Sequence, residues 1–152
     1  MEPRTDRGLA AVDRRIIHLR LPPACVYALA GQGWRRSIRI KLSDAIRLGA
    51  RKRPQGTGIY FPLLADGTIA SCALGAAIEG AVPDIDPCMP ATDAFRMLGR
   101  LFGHVLRLEY TDPTMPEAVT DRFPVESTIY HMNDDAGWSR EQIADWLGSL
   151  GL

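Results

Sequence analysis

The spacing of apolar positions changes several times along the chain, and each change marks a different element. Residues 1–14 are polar and charged without period, which predicts a frayed end. Arg15-Ile-Ile-His-Leu-Arg-Leu21, closed by Pro22 and Pro23, reads as a short strand. Residues 23–33 fit a helical turn closed by Gly31 and Gly33. From Trp34 the period is two: Trp34, Arg36, Ile38 and Ile40 share one side, and Arg35, Ser37 and Arg39 the other. That alternation predicts a half-buried strand with a cationic outer face, with Arg36 misplaced on the inner one.

At Leu42 the period becomes helical. Leu42, Ala45, Ile46, Gly49 and Ala50 fall on one face, Arg47, Arg51, Lys52 and Arg53 gather near the carbonyl end, and Pro54 and Gly56 stop the helix. Ile59 to Leu64 and Thr68 to Ala70, joined by Ala65-Asp66-Gly67, predict a small hairpin whose first strand Pro62 confines to an edge. Ser71-Cys-Ala-Leu-Gly-Ala-Ala-Ile-Glu-Gly-Ala81 is nearly all small residues, which predicts a central helix with close neighbours, Ser71 as its N-cap and Gly80 as its stop. Residues 82–90 form a loop. Ala94, Met97, Leu98, Leu101, Phe102, Val105 and Leu106 make the clearest helical stripe, beginning after Thr92. His104 lies off it and reads as solvated. Residues 111–124 are expected to be loop, and 125–132 suit strand and helix equally. Ser139-Arg-Glu-Gln142 is a capping box opening a last helix with Ile143, Trp146, Leu147 and Leu150 on its buried face.

The fold class this predicts is mainly α, of α+β type: a helical domain over residues 41–152, and a basic, partly β N-terminal segment over 1–40. Apolar residues make up 46% of the chain and charged residues 24%, enough to build a core. No apolar run approaches the roughly 20 residues that span a bilayer, and no leader-like segment opens the chain, so a cytoplasmic protein without a membrane partner is expected. The three cysteines, Cys25, Cys72 and Cys88, are spaced neither as a disulfide framework nor as a zinc knuckle. No metal site and no cofactor are expected.

The formal net charge of zero hides a split. Residues 1–55 hold 13 Arg or Lys against 4 Asp or Glu, and the remainder holds 5 against 14. Either the basic end meets a polyanion, or the two halves attract each other. For nucleic acid the candidate residues are Arg35, Arg36, Arg39, Lys41, Arg51, Lys52 and Arg53, with Tyr27 and Trp34 available for stacking. A thiol-hydrolase set would use Cys72, with its thiol at a helix N-terminus, together with His131 and Asn133 or Asp134. Its neighbours are alanines and leucine, however, where a thiol behaves as a small inert hydrophobe, and packing is the stronger reading. Asn133-Asp134-Asp135-Ala-Gly137 offers oxygen ligands but lacks the spacing of a calcium loop, and reads as an acidic turn. Phosphate-loop and nucleophile-elbow motifs are missing.

Leu42-Ser-Asp-Ala-Ile-Arg-Leu-Gly-Ala50, Arg53-Pro-Gln55, Ser71-Cys-Ala-Leu-Gly-Ala-Ala77 and Asn133-Asp-Asp-Ala-Gly-Trp-Ser-Arg-Glu-Gln-Ile-Ala-Asp-Trp146 resemble a group of small bacterial and phage proteins with no assigned activity. The resemblance covers residues 41–150. It implies that Cys72, Asn133, Asp134, Ser139 and Trp146 form a structural motif, with Asn133 and Asp134 capping the amide end of the Cys72 helix. The function expected is a non-enzymatic binding or regulatory protein of phage or prophage type acting on a protein partner. The alternatives are a nucleic-acid-binding accessory protein and a cysteine-dependent hydrolase.

Overall fold

Small residues decide how the first two helices meet. The computed structural model describes residues 40–152, and in it α1 spans Leu42–Ala50 and α2 spans Ala73–Ala81. A β-carbon on Gly49 would overlap the Ala76 carbonyl, and one on Gly80 would overlap the Ala45 carbonyl. Each helix thus lays a glycine on the other's backbone. Gly75 meets the Tyr60 carbonyl in the same way, from the loop side. Every residue of α2 except Gly80 is buried, which explains a sequence with almost no polar face. The helix is central: α1, α3 and α4 all pack on it, and α5 packs on α1.

The ends of α2 differ from the sequence expectation. The N-cap is Cys72, whose Sγ accepts from the Gly75 amide at 3.4 Å, while the Ser71 hydroxyl accepts from Arg140 instead. Gly80 does not stop the helix. Its role is close packing, and the helix runs to Ala81.

Helix α3, Ala91–Leu106, buries Ala94, Leu98, Phe102, Val105 and Leu106, the stripe read from the sequence. Strands β1, Glu109–Thr111, and β2, Arg122–Pro124, then pair antiparallel with Tyr110 opposite Phe123. This hairpin corrects the expectation of loop across 111–124; strands of three residues are too short to show a period. The hairpin expected at 59–70 is reduced to a single bridge, Leu63 with Ile69, flanked by Leu64 N–H to Thr68 O and Ala70 N–H to Pro62 O. Pro62 has no N–H to extend the ladder. Gly67, at φ +84°, turns the chain between the two halves.

Residues 125–132 resolve as helical. Helix α4, Val125–Tyr130, runs into a π-helical turn, His131–Asp135, closed by Ala136 N–H to His131 O at 2.9 Å. Helix α5, Arg140–Ser149, begins at the predicted capping box: Ser139 Oγ accepts from the Gln142 amide, and Gln142 Oε1 accepts from the Ser139 amide. Its most buried residues are Ile143, Ala144 and Leu147, with Trp146 and Leu150 only half-buried. The described domain is mainly α with a small antiparallel hairpin. None of its helices is long and apolar enough to cross a membrane.

Candidate functional site

The residues that carry the resemblance converge where the α2 N-terminus, the 54–58 loop, the π-helical turn and the α5 N-terminus meet. Asn133 Oδ1 accepts from the Ala73 amide at 3.2 Å, supplying one of the unpaired donors at the start of α2. Its Nδ2 donates to Gly56 O at 3.0 Å and to Asp134 Oδ1 at 2.6 Å. Asp134 Oδ2 then accepts from the Gly58 amide at 3.0 Å. The carboxylate therefore clamps a distant loop, where an acidic turn bonding its own amides had been expected. Gln55 bridges the same region, donating to Trp138 O and accepting from the Arg140 amide.

Arg140 ties the junction together. Its Nη1 donates to Pro54 O, Ser71 O and Ser71 Oγ, and its Nη2 to Ala50 O and Arg53 O, all at 2.7–3.3 Å. No period or motif singles out this arginine, since it sits inside a capping box. Trp146 packs edge-on to Tyr110, with ring centroids 6.5 Å apart, and braces the hairpin on α5.

This junction does not assemble a thiol nucleophile. Cys72 is 3% exposed, and burial pushes its thiol up, against the lowering effect of the Gly75 and Leu74 amides. His131 shares no hydrogen bond with it. His131 Nδ1 lies 2.7 Å from Asp112 Oδ2 and 3.0 Å from Thr114 Oγ1. The hydroxyls of Tyr60 and Tyr130 pair at 3.1 Å, and burial raises both phenols, which keeps them neutral.

Asp112 was not visible as a partner for His131 in the sequence. It is 3% exposed; burial pushes its carboxyl up, but the Thr114 hydroxyl and amide and the His131 ring together outweigh that and hold it below the usual range. The folded-state value is depressed, so the stabilisation is complete above the unfolded carboxylate pKa of about 3.9 and is lost as the pH falls through the folded value. Asp112→Asn is therefore expected to cost about 1–3 kcal/mol at neutral pH. Urea melts of the two proteins should converge as the pH drops below about 4; a gap that persists unchanged would refute this role.

Of the basic residues, Arg35, Arg36 and Arg39 lie outside the described residues. Lys41 and Arg51 are exposed. Lys52 Nζ donates to Glu79 O at 2.6 Å, and Arg53 Nε pairs with the buried Glu79 carboxylate at 2.6 Å. Arg47 reaches Asp145 at 2.8 Å. Among the described residues, then, Arg47 and Arg53 of the basic half pair with carboxylates of the acidic half, while Lys41, Arg51 and Lys52 are exposed.

One concave surface lies elsewhere, on the outer side of α3. Phe95, 58% exposed, Gly99 and Gly103 follow one helical row, with Arg96, Arg100 and Arg107 alongside and Glu126 of α4 on the rim. Together they edge an open groove of about 300 Å³. The sequence carried a partial signal for it: on the helix Phe95 and Gly99 border the apolar stripe beside Phe102 and Leu106, and Gly103 lies buried next to them.

No family model matches the chain, and no curated protein and no solved structure is significantly similar to it.

Proposed function

We propose that the domain is a non-enzymatic binding module, of the phage or prophage regulatory type that its sequence resemblance implies, and that it engages a protein partner through the outer side of α3. One observation carries this reading: a large aromatic side chain, more than half exposed, sits at the edge of an open groove beside three arginines. Aromatic and arginine side chains are the residues that most often anchor protein interfaces. The buried, protonated thiol of Cys72 speaks against hydrolysis, and the pairing of Arg53 with the buried Glu79 carboxylate and of Arg47 with Asp145 takes two cations out of any nucleic-acid surface there.

A photoreactive phenylalanine analogue at position 95, compared with one at exposed Asp66, tests the reading in host cells. The expected outcome is a discrete cross-linked product specific to position 95 that disappears when Arg96 and Arg100 are both changed to Glu. The same products from both positions would overturn it.

A further inference from the structure

The groove on α3 also specifies the chemistry of what enters it, an inference that rests on the binding-module reading above. Residues 56–152 hold 14 acidic side chains and only 5 arginines. Three of those five, Arg96, Arg100 and Arg107, border this one groove, with Glu126 the sole carboxylate among its lining residues. Only one of the three has a partner among the described side chains: Arg96, which meets Asp93 at 3.2 Å with both side chains largely in solvent. An exposed pair of this kind is worth little and leaves the guanidinium available. A local excess of cations on an acidic surface calls for carboxylates or phosphates in the occupant.

The floor narrows the choice. Among the described residues a β-carbon on Gly99 would meet nothing within 4 Å, and one on Gly103 would meet only the Arg107 guanidinium at 3.4 Å. Among the described residues neither glycine is required by packing, in contrast to Gly49, Gly75 and Gly80. Each costs a helix interior about 1 kcal/mol relative to alanine. Gly99 is exposed and leaves room on α3 for another backbone to settle closely, as at small-residue helix crossings, whereas Gly103 is already buried, with the Arg107 guanidinium beside it. Phe95 offers an apolar contact at one end of the groove, which a phosphate backbone would not use. A nucleic acid, with one negative charge per roughly 1.7 Å of duplex, would also meet the surrounding carboxylates.

We infer that the α3 groove receives an acidic amphipathic helix of a partner protein, its carboxylates on Arg96, Arg100 and Arg107 and its apolar side against Phe95 and Gly99. Glu126 then favours a basic or hydrogen-bond-donating residue at the matching end of the occupant.

Fluorescence anisotropy of the full chain with three labelled probes tests this: a helical peptide with Glu at every fourth position beside Leu and Ala, its Lys-for-Glu counterpart, and a short DNA duplex. The acidic peptide should bind at micromolar concentrations, weaken with salt, and bind at least about tenfold more tightly than the Lys peptide, a difference of about 1.4 kcal/mol. Arg100→Glu should weaken it at least about tenfold. Gly99→Leu should abolish binding by filling that space while raising the melting temperature, because leucine is the better helix former. Equal binding of both peptides, preference for the duplex, or binding unaffected by Gly99→Leu would each overturn the inference. If no acidic peptide binds although position 95 still cross-links a protein, the chemistry assigned to the occupant is wrong while the binding-module reading stands. If the purified chain instead dimerises through α3, with Gly99→Leu restoring the monomer, the occupant is a second copy and this inference fails.

Discussion

Changing Gly49 or Gly80 to alanine is expected to cost about 3 kcal/mol or more, and the double change to abolish folding. Alanine is ordinarily the better residue within a helix, and on propensity alone each substitution should stabilise by about 1 kcal/mol. Packing reverses the sign. The added methyl at either site overlaps a main-chain carbonyl of the facing helix, Ala76 for Gly49 and Ala45 for Gly80, and backbone cannot swing aside as a side chain would. Helices α1 and α2 would have to separate, opening gaps around Leu42, Ile46, Leu74 and Ile78, all almost fully buried. In a domain whose whole stability is about 5–15 kcal/mol, that is a large fraction. Chemical denaturation followed by circular dichroism measures it. Variants that melt with the parent protein would show that the two helices do not cross at these glycines.

Arg140→Leu is expected to lose about 3–5 kcal/mol, because several charge-assisted hydrogen bonds, each worth about 1.5–3 kcal/mol, are lost together. Arg140 is 5% exposed, and its two terminal nitrogens serve four carbonyls and one hydroxyl drawn from the end of α1, the following loop and the residue before Cys72. Without the guanidinium the Ala50 and Arg53 carbonyls and the buried Ser71 hydroxyl lose this partner, while the Ser71 and Pro54 carbonyls keep only their bonds from the Gly56 and Ser71 amides. Arg140→Lys should recover only part of the loss, since a single ammonium cannot reach acceptors spread across both ends of a planar fork. Full recovery by lysine would mean that charge alone, and not the fork, matters. Denaturant midpoints of the three proteins decide the point.

Local signals in the sequence carried most of the helical architecture. The stripe from Ala94 to Leu106, the face Leu42–Ala50 and the capping box at Ser139 depend on residues within a few positions of each other, so period and cap chemistry were enough. The small-residue run around Cys72 announced close approach, although which glycine served which neighbour required the fold. What stayed hidden is long-range. Asp112 and His131 are 19 positions apart and Arg140 and Ser71 69 apart, and no spacing rule connects such pairs. The three-residue strands were too short to announce themselves, and Pro62 limited the hairpin that did. The α3 groove was legible in part. Phe95 and Gly99 border the apolar stripe, but only the fold shows that no element among the described residues covers Gly99.

If α3 serves a partner as proposed, the glycines divide by role, those of α1 and α2 being required by the fold and Gly99 of α3 not. The most direct measurement is the thermal stability of Gly80→Ala beside that of Gly99→Ala in otherwise identical protein. Opposite signs are expected: a fall of several degrees or outright unfolding for Gly80→Ala, and a small rise, worth about 1 kcal/mol, for Gly99→Ala. A loss at both positions would mean that α3 is packed from outside within this same chain, and would contradict the assignment of that face to a partner.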